Sequence, residues 1–150
     1  MKLSAHFTLA EFLRSEAAAR HGIDMTPGPQ VLQNLERLAN EVLEPIRRAV
    51  GSPLVITSGY RPPALNALVG GAPTSDHLSG RAADFHAIGV DLDELAMIVR
   101  HECESLPVAK AIREFGQWIH VSIEPLGRIP TRSYLVASRE AGKTVYTTWA

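Results

Sequence analysis

Between Val31 and Val50 the apolar residues Val31, Leu35, Leu38, Val42 and Ile46 recur at steps of three and four, and Leu32, Ala39 and Leu43 widen the stripe. That period predicts one long amphipathic helix, ended by Gly51. Ahead of it, Thr8-Leu9-Ala10-Glu11 has the spacing of a capping box opening a short helix, and Pro27-Gly28-Pro29 interrupts the chain. Asp91 caps a second predicted helix that Leu92, Leu95, Ala96, Val99 and Cys103 carry to about Ser105, and Pro62 to Gly71 has room for a helical turn or two. The strand signals are Leu54-Val55-Ile56-Thr57, then Val108–Phe115 and Trp118–Ile123 joined around Gly116. Tyr134–Ala137 and Thr144–Thr148 follow, flanking Glu140-Ala141-Gly142-Lys143. Helices dominate early and strands late. The expectation is an α+β fold, with N-terminal helices packed on a small antiparallel sheet in a single domain spanning 1–150.

Composition narrows the partners. With 150 residues, 45% of them apolar and 21% charged, the chain has enough material for a real core. Sixteen acids against fifteen bases leave a net charge of -1, so no global charge points to nucleic acid or an anionic membrane. Cys103 is the only cysteine, which excludes an internal disulfide and a cysteine-based zinc cluster, and leaves six histidines as candidate ligands. No uncharged apolar run reaches the roughly 18 residues of a membrane span. Met1–His6 has neither an apolar h-region nor a cleavage pattern, so no secretory signal is expected. A monomer is expected.

The chemistry concentrates in Ser58-Gly59-Tyr60-Arg61 and in Ser75-Asp76-His77-Leu78-Ser79-Gly80-Arg81-Ala82-Ala83-Asp84. On a helix, His77 and Asp84 would lie about 10 Å apart, too far to share a metal whose bonds are near 2 Å. Ser79-Gly80 can turn the chain instead and bring His77 back beside Asp84 on a following strand. In Trp118-Ile119-His120-Val121-Ser122-Ile123, alternation sends the aliphatic residues to one face and His120, with Trp118 and Ser122, to the other. Two histidines and one carboxylate leave a tetrahedral zinc one open position, the mark of a catalytic site. By spacing alone, surface or core roles for these residues remain open.

Ser75, His77, Gly80, Ala82 and Asp84 match the S-x-H-x-x-G-x-A-x-D signature of the zinc D-alanyl-D-alanine carboxypeptidase family, which shares a fold with hedgehog signalling domains. Trp118-Ile119-His120 resembles that family's last ligand segment. Four stretches resemble its phage and prophage single-domain branch: Phe7–Phe12 with Ser15, Leu43–Arg47, Thr57–Arg61 and Gly142–Tyr146. The resemblance implies Zn2+ at His77, Asp84 and His120, and it places Arg61 where such enzymes carry an arginine. A guanidinium there holds a substrate carboxylate or stabilises an oxyanion. Ser75 resembles the family serine, with a local serine turn as the alternative. Trp118 either walls the cleft against substrate or caps the sheet.

Several relatives carry a glutamate three residues before the last histidine, where this chain has Gln117, which cannot ionise. Glu114 is the nearest carboxylate. If Phe115-Gly116-Gln117 form a three-residue hairpin loop, Glu114 pairs with Trp118 and faces the side of His120; a two-residue loop turns it away. His86 shares the parity of Asp84, either lining the cleft or simply solvated. His6, His21 and His101 fall in no recognisable spacing and read as surface residues. Asp76 is expected to point outward, and Cys103 to be a small buried hydrophobe.

The resemblance implies a zinc metallopeptidase acting on peptidoglycan stem peptides, of D-Ala-D-Ala carboxypeptidase or L-Ala-D-Glu endopeptidase type. In it, Glu114 would shuttle the proton and Arg61, Ser75 and Trp118 would contact substrate. A chain made in the cytoplasm without a signal fits a phage or prophage lysin released by a holin, or part of a phage particle. Gln117 motivates the alternative, a non-catalytic metal-containing module of the same fold that binds cell wall or serves phage structure.

Overall fold

The computed structural model describes all of residues 1–150. Helices α1 (Leu9–Leu13) and α2 (Glu16–Arg20) lead into α3 (Pro29–Leu38), a π-helical turn (Ala39–Leu43) and α4 (Glu44–Val50). Strand β1 (Leu54–Ser58), helix α5 (Pro63–Leu68), a 3-10 turn (Asp76–Ser79), strand β2 (Ala82–Ala87) and helix α6 (Leu92–Glu102) follow. The chain ends in β3 (Val108–Glu114), β4 (Trp118–Ile123), β5 (Ser133–Glu140) and β6 (Lys143–Thr148). All six strands form one sheet in the order β1-β2-β4-β3-β5-β6. The α+β expectation holds.

Local signals act where the sequence placed them. The Thr8 backbone N–H donates to Glu11 Oε2 at 2.6 Å, and the Glu94 N–H donates to Asp91 Oδ1 at 2.8 Å. The long helix differs from expectation in one respect: its middle widens into a π-helical turn, where the Glu44 N–H bonds to the Ala39 carbonyl. Pro45 accounts for this. It has no N–H to give to the carbonyl of Glu41, and its ring would crowd that carbonyl in a regular helix. The turn keeps the apolar stripe facing inward, since Leu35, Leu38, Ala39, Val42, Leu43 and Ile46 are all fully buried.

Those residues pack on one face of the sheet, against Ile56, Ala83, Phe85, Ala111, Ile119, Val121 and Ile123, with α6 adding Leu95, Ala96 and Val99. Burying each large aliphatic or aromatic side chain contributes about 1.5–3 kcal/mol, so this layer fixes which sheet face points inward. Cys103 is fully buried in the same core, and burial pushes its thiol up to about 12, as suits an inert hydrophobe. The opposite face carries the polar residues of β2, β3 and β4.

One pairing departs from the expected antiparallel sheet: β5 runs parallel to β3, with Ile112 opposite Leu135 and Glu114 opposite Ala137. The 124–132 connection carries the chain back along the sheet, so that β5 enters in the direction of β3. The last hairpin thereby extends the polar face.

Two glycines set the geometry around the 3-10 turn. A Cβ on Gly59 would lie 2.7 Å from the Phe12 backbone, which lets α1 close on the end of β1. Gly80 has φ +74°, and a Cβ there would meet the Val31 carbonyl oxygen at 2.8 Å. Gly51 is also left-handed (φ +72°), yet nothing lies within 4 Å of its would-be Cβ. Gly51→Ala should therefore cost only the conformational penalty, about 1–2 kcal/mol. Gly80→Ala should cost more than that, because the 3-10 turn must also shift away from α3. Urea unfolding of the two variants measures the difference; equal losses would mean that the approach of Gly80 to Val31 carries no strain.

Candidate active site: a histidine–aspartate–histidine cluster under a cleft

Residue His77 sits on the 3-10 turn between Ser75 and Gly80. The Ser75 hydroxyl accepts the His77 N–H at 3.2 Å, and left-handed Gly80 reverses the chain into β2. The turn is held from two sides. The amide of Asn34 on α3 donates to the Ser79 carbonyl at 2.8 Å. Arg81 spans the Ser79 hydroxyl, the Asp76 carboxylate and the carbonyl of Ile123 at the end of β4. Asp76 is thus half-buried, spent on Arg81 rather than free in solvent.

Only an acceptor faces the His77 Nδ1, the Gly59 carbonyl at 2.7 Å, so Nδ1 carries the proton and Nε2 presents its lone pair. That lone pair lies 3.4 Å from Asp84 Oδ1. Asp84 and His120 are direct cross-strand partners on β2 and β4, and His120 Nδ1 stands 2.8 Å from the same carboxylate oxygen. All three side chains are buried, the two imidazoles meeting edge to face with centroids 5.1 Å apart. One ligand atom from each lies within 4.8 Å of the others. Donors about 2 Å from a shared tetrahedral ion would be separated by about 3.3 Å. The observed 2.8 and 3.4 Å bracket that spacing. Two imidazoles and a carboxylate are also the donor chemistry that zinc accepts, so these residues fit the metal that the resemblance implies.

Charge within the cluster is strongly interdependent. Burial pushes the Asp84 carboxyl up, but the adjoining His77 and the hydrogen bond with His120 outweigh it and hold the group well below the usual carboxylate range. Burial pushes His120 down, and the hydrogen bond to Asp84 reverses this and raises it. Glu114 goes the other way from Asp84. Burial raises it, the neighbouring Asp84 charge adds to the rise, and His120 and the Trp118 N–H only partly oppose them. Two carboxylates in one cleft are thus pushed apart, one fixed as an anion and one nearer to exchanging a proton.

The cleft above the cluster has a volume of about 380 Å³ and is lined by His77, Asp84 and His120 together with Arg61, Ser75, Glu114 and Trp118. The loop at Phe115-Gly116-Gln117 has three residues, with Phe115 and Gly116 left-handed, and Glu114 pairs with Trp118. Glu114 Oε1 consequently lies 3.7 Å from His120 Nδ1 and accepts the Trp118 indole N–H at 3.1 Å. Gln117 is exposed in the turn and does not line the cleft. Arg61 enters from the end of β1. Its N–H donates to the His77 carbonyl at 3.0 Å and its Nη2 donates to the Ser75 hydroxyl at 3.1 Å, while its buried Nε has no protein partner. Ser75 therefore caps the turn and also steadies Arg61.

Other expected residues fall elsewhere. His86 is exposed and outside the cleft. His6 has a partner that its spacing did not reveal, with its Nδ1 2.7 Å from Glu44 Oε1. Conversely, the strand alternation around His120 did not reveal that Arg139, Thr144 and Tyr146 of the last hairpin also line the cleft. Only the parallel β3–β5 pairing brings them there, and pairing partners leave no local sequence signal. The supporting roles of Asn34, Gly59 and Arg81 are equally non-local.

A chain with this site should bind one zinc. His77→Ala and His120→Ala should each lose stoichiometric metal in elemental analysis of the folded protein. Removing the metal with a chelator should lower the unfolding temperature of the parent, since a ligand at about 100 times its Kd contributes about 2.7 kcal/mol. The chelator should leave the melting of His77→Ala unchanged. One zinc per chain retained in both variants would overturn the ligand set.

No curated protein matches the chain. The family model described as Peptidase M15 matches residues 5–122, a span that holds the 3-10 turn, β2, β3, all but the last residue of β4 and the three clustered side chains that could hold a metal. The chain belongs to the peptidase M15 family, whose members are zinc-dependent peptidases.

Proposed function

We propose that this protein hydrolyses a peptide bond in the stem peptides of bacterial peptidoglycan, and that it serves a phage or prophage as a lysin. The observation that carries the catalytic part is the position of Glu114, whose carboxylate shares one cleft with the His77–Asp84–His120 cluster and lies within 4 Å of His120. When bound there, zinc supplies Lewis acidity toward the scissile carbonyl and water.

The chain's own groups supply the rest. Glu114, raised by burial, is suited to take a proton from the attacking water and to return it to the leaving amine. The Trp118 indole N–H fixes which way that carboxylate points. Arg61 lines the cleft, steadied by Ser75 and without a carboxylate partner, which suits a substrate carboxylate or the developing oxyanion. His77 is locked by the hydrogen bond from its Nδ1 to the Gly59 carbonyl, so its Nε2 needs little rearrangement. Gln117, the ground for a non-catalytic reading, stands outside the cleft, and a carboxylate occupies the place where a base is needed. The scissile bond is of the D-Ala-D-Ala or L-Ala-D-Glu type, and both leave a carboxylate within reach of an arginine.

Purified peptidoglycan should release new amines with the zinc-loaded protein and none after chelation, and mass spectra of the products identify the bond. Glu114→Gln should keep fold and zinc yet lose roughly 10²–10⁴-fold in turnover, the usual contribution of a general base. Gln117→Ala should change turnover far less. Arg61→Ala should retain zinc and melting temperature while losing most activity. Wild-type turnover in Glu114→Gln, with a dead Gln117→Ala, would reverse the two roles. No cleavage by the parent would remove the peptidase reading.

A further inference from the structure

The β5–β6 hairpin lies beyond residues 5–122, so the family match is silent about it, yet it forms one wall of the cleft. Its placement follows from register. Glu114 of β3 pairs with Ala137 of β5, and Ala137 pairs with Tyr146 of β6. One step further along, Arg139 pairs with Thr144. Side chains of alternate residues share a face, so Arg139, Thr144 and Tyr146 stand on the same side as Glu114 and His120.

The hairpin is anchored rather than loose. Arg100 of α6 stacks on the Tyr134 ring at 3.6 Å, and the Trp149 N–H donates to the Tyr134 carbonyl at 3.1 Å. Arg139 itself lies over the ring of Phe115, 4.7 Å from its centroid, which holds a long flexible side chain at the rim of the cleft. No carboxylate of the protein is within ion-pair distance of Arg139 or of Arg61. The cleft therefore offers two guanidiniums without an ion-pair partner, one from each side of the metal cluster. Arg61 lies just past the end of β1 and Arg139 lies on β5, strands four steps apart in the sheet, roughly 19 Å at about 4.8 Å per step. Two side chains reaching inward shorten that to the length of a few extended residues at roughly 3.3 Å each.

We propose that Arg139 is a specificity residue that binds a second substrate carboxylate, so that the preferred substrate is an acidic peptide with a carboxylate on each side of the cleaved bond, which within a stem peptide a D-Ala-D-Ala bond offers and an L-Ala-D-Glu bond does not. This rests on the peptidase reading above and adds to it the class of peptide. Planar forked recognition suits a guanidinium better than a lysine, and the exposed rim position makes the contribution modest and salt-sensitive.

The test uses two synthetic stem peptides that differ only in one carboxylate replaced by a carboxamide, on the side of the scissile bond away from the group that Arg61 holds. Calorimetry measures binding of each to zinc-loaded Glu114→Gln, and turnover is measured separately with zinc-loaded parent. The carboxylate peptide should bind about fivefold more tightly than its carboxamide, and the ratio should fall toward one when Arg139→Gln is added. It should also shrink as salt is raised. Lys143→Gln, which removes a cation of the same hairpin outside the cleft, should keep the parent ratio. A parent ratio of one, or a ratio unchanged by Arg139→Gln, overturns the proposal. If the parent cleaves neither peptide while the Arg139-dependent binding ratio persists, the specificity assignment stands and the peptidase reading falls.

Discussion

Asp84 is a carboxylate buried within a sheet, and a charge so placed is tolerable only if its neighbours compensate it. His120 does so by a hydrogen bond from directly across a strand pair, while His77, returned by a tight turn seven residues earlier, presents its Nε2 lone pair toward the same oxygen, a place that a shared cation would complete. Most of the surrounding structure serves that arrangement. The β2–β4 register sets His120, Gly80 and Arg81 set the turn, and Gly59 supplies the carbonyl that orients His77. Removing one partner would leave a buried charge uncompensated, which gives the cluster an all-or-none character.

The same cluster explains why Glu114 behaves unlike Asp84. Both carboxylates are largely withdrawn from water, but only Asp84 touches both histidines. Glu114 touches the Trp118 N–H, stands back from His120, and faces the negative charge of Asp84. Burial and the Asp84 charge together raise Glu114, while the histidine contacts hold Asp84 low, so the two carboxylates of one cleft are set in opposite directions.

Helices and site occupy opposite faces of one sheet. The helical face carries the packing energy, and the alternate residues of the same strands carry the chemistry. A slip of one residue in β4 would turn His120 into the helix-packed core and Val121 toward the cleft, so the hydrophobic layer enforces the register of the cluster without touching the site. The wider turn at Ala39–Leu43, which Pro45 accounts for, still keeps Ala39, Val42 and Leu43 in the core.

What the sequence determined by itself was local. The capping residues Thr8 and Asp91, the period of the Val31–Val50 stripe, the alternation around His120 and the His77…Asp84 spacing all act within a few residues of themselves. They can therefore be read directly. The three-residue loop after Glu114 was one of two legible options, and the left-handed Phe115 and Gly116 decided it. Tertiary structure alone decided the parallel β3–β5 pairing, the carbonyl facing His77, the Asn34 and Arg81 ties, and the entry of Arg139 and Tyr146 into the cleft. Each of these joins segments far apart in the chain. Such joins depend on which strand edge is free and which core face is covered, and neither is encoded in the neighbourhood of the residues concerned.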